Sequence, residues 1–402
     1  MRKHLDDYRQ YAGDQVVDEI YDSASTLDGK HVVHVNSTYS GGGVAELLDT
    51  LVMLMNDVGL DTGWRILHGT PDFFEITKKF HNTLQGAEIN LTNQKKRIYE
   101  GINERFSNYT HLYHDCVIVH DPQPLSMIQF YEKKQPWIWR LHIDISNLNQ
   151  DGEKLFNYFK SFIVRYDAMI VSMDSYKKDI PVDQRVMRPS IDPLSPKNEV
   201  LSDQVIDRYL SKFGVDQDKP IICQVSRFDY FKDPEGVVKI FKKVREEIDC
   251  RLVLVGSMAT DDPESEAIYK HMVKEYGDDP DIEIISALNH ILVNALQRRS
   301  SVVLQKSLRE GFALTVSEAL WKGTPVVGSN VGGIPAQIIE GETGFLLDPL
   351  DYDGFADRVK MILGDDALSE RLGEAGKEHV RNNFLVTRHL KDYFHLFREV
   401  IR

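Results

Sequence analysis

The chain has 402 residues, 42% of them hydrophobic and 27% charged, with a formal net charge of −14. That length is too great for one ordinary α/β domain and suits two, and the apolar fraction supplies two cores. The acidic balance argues against a general nucleic-acid binder, which carries a basic face, but leaves room for a phosphorylated metabolite held by a local pair of cations. The N-terminus is charged almost from its first residue, without an apolar leader, and no apolar run is long enough to cross a bilayer, so a cytoplasmic protein without a membrane partner is expected. Cys116, Cys223 and Cys250 are scattered among strand-like residues with neither CxxC nor disulfide spacing, which suits a reducing compartment and core positions.

In chain order, the first 30 residues read as one or two added helices. His31–Asn36 reads as a strand and Gly43 to about Gly59 as a helix, followed by strands at Trp64–Leu67, Cys116–Val119, Trp137–His142 and Ala168–Val171. The segment Arg188–Lys197 carries three prolines, which forbid a helix or a central strand and predict a stiff linker. Beyond it, strands are predicted at Ile221–Val225, Leu252–Val255, Ile282–Ile285, Val302–Leu304 and Pro325–Val327, and the aromatic-rich stretch Phe384–Arg402 reads as a helix. Strands alternating with helices make parallel sheets joined by right-handed crossovers, which bind ligands at the carboxyl ends of their strands. The expected class is α/β: two Rossmann-like, doubly wound domains facing a cleft, residues 1–197 and 198–383, with 384–402 rejoining the first.

The segment Arg309-Glu-Gly-Phe-Ala-Leu-Thr-Val-Ser-Glu-Ala319 follows a strand, and a helix starts at about Ala313. A helix N-terminus preceded by glycine presents free N–H groups and a partial positive charge, suited to phosphate or sugar hydroxyls. Glu310 precedes that helix and Glu318 lies within it, so the two reach different parts of one extended ligand; taken singly, such glutamates are more often solvated acids. Arg227 and Lys232 sit in the loop after Ile221–Val225, where a diphosphate needs cations; each close charge pair is worth about 4 kcal/mol at an effective dielectric of 20. The glycines of Ser37-Thr-Tyr-Ser-Gly-Gly-Gly-Val44, Gly42 and Gly43 among them, permit close backbone approach but do not spell GxGxxG and equally suit a plain turn. His120-Asp-Pro-Gln-Pro124 and Trp139-Arg-Leu-His-Ile-Asp144 place Asp121, His142 and Asp144 at carboxyl strand ends, and Val331-Gly-Gly-Ile-Pro335 marks a further helix start.

Taken together, the GGG loop, S-R-F-x-x-x-K, E-G-F-x-L-x-x-x-E-A and V-G-G-I-P resemble the GT4 family of retaining glycosyltransferases, of GT-B architecture. The strings HVNSTYSGGGVAELL, VHDPQP, WRLHIDIS, RPSIDPLSPKN and VLQKSLREGFALTVSEALWKGTPVV are more similar to the trehalose synthases of the glycosyltransferring kind and to the retaining trehalose phosphorylases. The resemblance spans essentially the whole chain. It implies Arg227 and Lys232 at the donor diphosphate, Glu318 at the ribose hydroxyls and Glu310 at the transferring glucose. The backbone of Gly311, Phe312, Ala313, Leu314 and Thr315 is implied against the donor, and Gly42 and Gly43 against its phosphates. His142 would bond the glucose 6-hydroxyl, with Asp121 and Asp144 nearer the acceptor. Ala313 departs from the subgroup, which usually has glycine there.

The activity implied is a retaining glucosyltransferase making trehalose reversibly from a nucleoside-diphosphate glucose, UDP-glucose or ADP-glucose, and glucose. Two other readings stay open: a phosphorylase using glucose 1-phosphate, and a catalytically silent nucleotide-sugar-binding protein of the same fold. No metal or other cofactor is expected. Asp351-Tyr-Asp353 has the spelling of a metal motif but precedes a helix and reads as an N-cap, and His111 and His114 lack companions for zinc. The expected partners are small-molecule sugars and the nucleotide-sugar, no nucleic acid and no membrane, with a homodimer as the assembly to look for.

Overall fold

The protein is described by a computed structural model covering residues 3–39, 42–256 and 263–401. The chain divides into two compact units, Met1–Ser190 with Val386–Arg402, and Ile191–Leu385.

The first unit runs α1 (Arg9–Ala12), α2 (Asp14–Ser25), β1 (His31–Asn36), α3 (Gly43–Asp57), β2 (Asp61–Ile66), α4 (Pro71–Leu84), α5 (Asn93–Tyr109), β3 (Cys116–His120), β4 (Trp137–Arg140), α6 (Gln150–Ile163), β5 (Ala168–Val171) and β6 (Asp183–Val186). Its six strands form one parallel sheet in the order β2-β1-β3-β4-β5-β6. The second unit runs α7 (Asp203–Lys212), β7 (Ile221–Val225), α8 (Pro234–Arg245), β8 (Arg251–Gly256), α9 (Pro263–Tyr276), β9 (Ile282–Ser286), α10 (His290–Arg299), β10 (Val302–Gln305), α11 (Leu314–Trp321), β11 (Val326–Ser329), β12 (Gly344–Leu347), α12 (Tyr352–Gly364) and α13 (Asp366–Asn383). Its sheet, again parallel, has the order β12-β11-β10-β7-β8-β9. Helix α14 (Val386–Val400) then returns to the first unit. Both units are therefore Rossmann-like and doubly wound.

Burial on both faces explains the near-continuous apolar runs: every residue of β3, β5, β7 and β8 is buried. Helix α14 docks because Val386, Leu390, Tyr393, Phe394 and Phe397 recur at helical spacing and are all buried, and it packs on α2 and α3. In the second unit Asp233 caps α8 by accepting from the Gly236 N–H at 3.1 Å, Pro234 takes the first helical position, and Lys242, Lys243 and Arg245 close the last turn against the helix dipole. Cys116, Cys223 and Cys250 are buried free thiols.

Strands β6 and β12 have no counterpart in the sequence reading. β6, Asp183-Gln-Arg-Val186, has one apolar residue and no alternation, and it borrows its register from β5. β4 ends at Arg140, short of the predicted His142, because the His142 N–H leaves the ladder for the Asp121 carboxylate at 2.9 Å. The segment expected as a linker ending at Lys197 is instead part of the second unit from Ile191 onward. There Ile191 bridges Leu385, Asn198 Nδ2 donates to the Asp192 carbonyl at 3.0 Å, and Asn294 Nδ2 donates to the Pro196 carbonyl at 3.0 Å. The first boundary thus falls at 190/191 rather than 197/198, and the second at 385/386.

Among the described residues, no helix is long and apolar enough to cross a membrane. Helices α11 and α13 meet closely enough that a Cβ on Gly373 would run into the Gly323 carbonyl oxygen, whereas a Cβ on Gly364, at the end of α12, would meet nothing within 4 Å. Gly373→Ala should therefore lower the unfolding temperature, by an overpacking cost of about 1–3 kcal/mol. Gly364→Ala should be neutral or stabilising by up to about 1 kcal/mol. Thermal unfolding followed by circular dichroism checks both; a tolerated Gly373→Ala would contradict the packing described.

Candidate active site

In each unit the candidate residues stand at carboxyl ends of parallel strands, where this topology opens its crevice. Among the described residues, the only non-glycine residues with positive φ are Asp121 (62°), Asp233 (40°) and Ala313 (67°), and each lies in one of these loops. Left-handed backbone at an L-residue costs about 1–2 kcal/mol, so the surrounding bonds must hold these loops in place.

In the first unit the loop after β3 is fixed from below. The Tyr99 hydroxyl donates to the Pro122 carbonyl at 2.6 Å, Asn103 Nδ2 to the Gln123 carbonyl at 3.0 Å, and Trp139 Nε1 to the Asp121 carbonyl at 3.0 Å. Asp121 in turn receives the His142 N–H, so the two residues predicted from separate motifs are brought together. Burial raises the Asp121 carboxyl to about 7, against the opposing pull of that N–H and of Arg140. His142 is also the accessible end of a chain of three imidazoles: its Nε2 stands 3.0 Å from His120 Nδ1, and His120 Nε2 stands 2.9 Å from His34 Nδ1. Burial lowers all three, with Arg140 adding to the shift in each, and His34 falls to about 3; they are neutral imidazoles at ordinary pH. Asp144 is half-buried and accepts from the Ser146 N–H at 2.8 Å. Gly42 is extended, at φ −177°, so any residue would adopt its backbone; a Cβ there would meet nothing within 4 Å. Gly43 opens α3, while Ser40 and Gly41 of the same loop lie outside the described residues.

In the second unit Lys232 and Glu310 come together across the neighbouring strands β7 and β10. Lys232 Nζ lies 2.7 Å from Glu310 Oε2, both side chains largely buried. Gln224, 2% exposed within β7, ties the two loops: its Nε2 donates to the Lys232 carbonyl at 2.8 Å and its Oε1 accepts from the Lys306 N–H at 2.8 Å. Beneath this pair the buried Lys306 ammonium bonds to Asp233, with the Tyr352 ring 4.7 Å away, and burial lowers that lysine to about 8. Arg227 is half-exposed and reaches Asp229 at 3.2 Å. Gly311 donates its N–H to Glu310 Oε1 at 3.0 Å, Phe312 is buried against Phe384, and Thr315 Oγ1 donates to Gln305 at 2.6 Å. Ala313 is the N-cap of α11 and Leu314 its first residue; the left-handed φ at Ala313 is the conformation glycine adopts without strain. Glu318 is 3% exposed: Oε1 lies 3.5 Å from Lys197 Nζ, and Oε2 has no hydrogen-bond partner.

Sequence reasoning missed the supports, namely Gln224, Asp233, Lys306, Lys197, His34 and His120 as a ring partner. A polar residue inside an apolar strand run, as at Gln224 and His34, is the signal that flags two of them. Asp351 caps α12 by accepting the Gly354 N–H at 2.8 Å, and Asp353 pairs with Lys243 at 2.7 Å, in agreement with the N-cap reading. Among the described residues no group of three His, Cys, Asp or Glu is placed to hold a metal ion.

Two parallel six-stranded Rossmann-like units, with the candidate residues on carboxyl-end loops, share the GT-B fold of solved structures. The family model described as "Trehalose synthase, N-terminal domain" matches residues 34–178, and "Glycosyl transferases group 1" matches residues 205–379. The chain is 44% identical to a trehalose synthase of Thermococcus litoralis over 98% of its own length and 96% of that protein's. It is 28% identical to a trehalose phosphorylase of Pleurotus pulmonarius, over 94% of this chain and 58% of that one. The solved structure of an α,α-trehalose 6-phosphate synthase from Burkholderia multivorans superposes with a TM-score of 0.72 at 18% identity, covering 92% of this chain and 98% of that one, a likeness of fold. The chain belongs to the trehalose synthase family of glycosyltransferases.

Because its folded pKa is raised, Asp121 contributes stability that is fully present below about pH 4 and is lost as pH rises toward about 7, where the folded carboxyl also ionises. Asp121→Asn should remove that slope. Unfolding measured across pH 4 to 8 in both proteins checks this, as does a carboxyl ¹³C titration, which should show one signal with a midpoint near 7 that is missing from the variant. An Asp121 titrating near 4 would contradict the burial described.

Proposed function

We propose that this chain is a retaining glucosyltransferase that forms trehalose reversibly from a nucleoside-diphosphate glucose and glucose, without a metal ion. The observation that carries the reading is the match to named trehalose synthases over 98% of the chain, and Arg227, Lys232, Glu310 and Glu318 all belong to one unit.

The chemistry follows from the groups. As the glucosyl–phosphate bond breaks, charge grows on the departing diphosphate oxygen, and Lys232 with Arg227 are the cations that meet it. Preorganised charge in a dry site is worth far more than in water, and Gln224 and Glu310 hold Lys232 in position. Glu318, with one carboxylate oxygen anchored by Lys197 and the other unpartnered, suits two ribose hydroxyls as donors. His142, neutral and fixed by His120 and Asp121, offers one imidazole nitrogen to a glucose hydroxyl. Asp121, with its carboxyl near 7, serves the acceptor hydroxyl as a hydrogen-bond partner able to take its proton. Retention proceeds on this reading by front-face displacement assisted by the leaving phosphate, since it places no second carboxylate as a nucleophile across the sugar.

Trehalose incubated with UDP, ADP, GDP or inorganic phosphate in separate arms tests the reading. Free glucose and a nucleotide-glucose should form in at least one nucleotide arm and not in the phosphate arm, and the rate should survive excess EDTA. Glucose released with phosphate alone would move the chain to the phosphorylases, and loss of activity on chelation with recovery on Mg²⁺ would overturn the metal-free mechanism.

A further inference from the structure

Between its sheet and α14 the first unit buries a polar cluster that adjoins the imidazole chain of the candidate site through His34. Arg140, at the end of β4, is 0% exposed, and none of its Nε, Nη1 and Nη2 atoms has a hydrogen-bond partner in the protein. Strand register sets it beside His120 on β3 and Ile170 on β5. Two residues past Ile170, and so on the same face, Ser172 Oγ is also buried without a partner. Helix α14 covers this face with His389 and Tyr393, whose rings stack at 5.2 Å, and the Tyr393 ring meets His34 edge-on at 5.5 Å. Tyr393 Oη, His389 Nε2 and His34 Nε2 are unpartnered as well. Buried polar atoms without partners are rare singly, and here seven occur in one cluster on facing elements.

The charge balance of the cluster is as unusual as its hydrogen bonding. Burial keeps His34, His120, His142 and His389 neutral, and the Arg140 charge reinforces this in each. A guanidinium does not shed its proton in a protein, so Arg140 carries a positive charge in the interior. The carboxylates that feel that charge are engaged elsewhere: Asp121 with the His142 N–H, Asp392 with Arg388. An isolated buried charge is not tolerated without compensation. All the unpartnered groups can donate: the N–H groups of Arg140, the Tyr393 and Ser172 hydroxyls and, in the tautomer that carries the proton there, Nε2 of His34 and of His389. Water would leave the buried Arg140 charge uncompensated, so a positively charged enclosure that can present donors throughout favours an anion over it.

We propose that Arg140, Ser172, His389 and Tyr393 enclose a binding site for a small inorganic monoanion of the size of chloride. The ion neutralises Arg140 and accepts from groups on both β4 and α14, so it fastens the returning C-terminal helix to the sheet.

Crystals of the full chain grown or soaked in sodium bromide, with data collected above the bromine edge, test this directly. An anomalous peak within hydrogen-bond distance of the Arg140 guanidinium is expected. No peak there, or peaks only at the protein surface, would overturn the site. Thermal unfolding in sodium chloride against sodium gluconate at equal ionic strength gives an independent readout. The parent's unfolding temperature should rise saturably with chloride, and in Arg140→Met, which keeps the aliphatic stem, it should not depend on the anion. If that variant fails to fold, Tyr393→Phe keeps the ring, deletes one donor, and should move the half-saturating chloride concentration upward severalfold. Equal unfolding temperatures of the parent in the two salts would count against the site.

Discussion

The contact between Lys232 Nζ and Glu310 Oε2, at 2.7 Å, ties together two loops that leave neighbouring strands of one sheet. Bringing two charges this far out of water is favourable only if their remaining bonds are also met, and the second unit supplies them. Gln224 holds the backbone on both sides, Gln305 and Ser307 approach Glu310 at 3.4 Å, and the Gly311 N–H takes its other oxygen. The adjacent Asp233–Lys306 pair cross-links the same loops with the polarity reversed. The left-handed backbone at Asp233, the cap of α8 and the approach to α11 all follow from keeping these two pairs in register.

The first unit solves a different problem. Its candidate residues carry little charge: three buried neutral imidazoles in a hydrogen-bonded chain and a carboxyl raised to about 7. Burial keeps the imidazoles from protonating, and the charge of Arg140 beside them adds to that. An electrically quiet surface suits an uncharged sugar, whereas paired cations and carboxylates in the second unit suit a ligand that carries charge and gains more of it as a bond breaks.

Much of this is legible in the amino-acid sequence. Ten of the twelve strands among the described residues follow from apolar, largely β-branched runs, because parallel strands buried on both faces cannot avoid being apolar. The two that escaped, β6 and β12, are edge strands of four residues, and β6, with one apolar residue, takes its conformation from β5. The candidate residues could be named because motifs are local in sequence. Their partners could not: His34 and His120 are 86 residues apart and Lys232 and Glu310 are 78 apart, and only the strand order makes them neighbours. The prolines of Arg188–Lys197 correctly exclude a helix and a central strand, yet composition gave no hint that Ile191 to Asn198 is bonded into the second unit. Ala313 shows the converse. A departure from glycine was visible in the sequence, and the structure assigns it a physical meaning, an alanine held at a φ of 67°.

The central claim is that Lys232 and Arg227 stabilise the departing diphosphate, and steady-state kinetics on substituted enzyme test it most directly. With the best nucleotide-glucose, kcat and KM would be measured for Lys232→Ala, Arg227→Ala and Glu318→Ala beside the parent. A contact that strengthens in the transition state must appear in kcat, so the two cation variants should lose on the order of 10²–10³ in kcat. Glu318→Ala, acting on a ribose that undergoes no charge change, should mainly raise KM. Cation variants whose kcat/KM stays within about threefold of the parent, a loss below ~1 kcal/mol, would contradict the account.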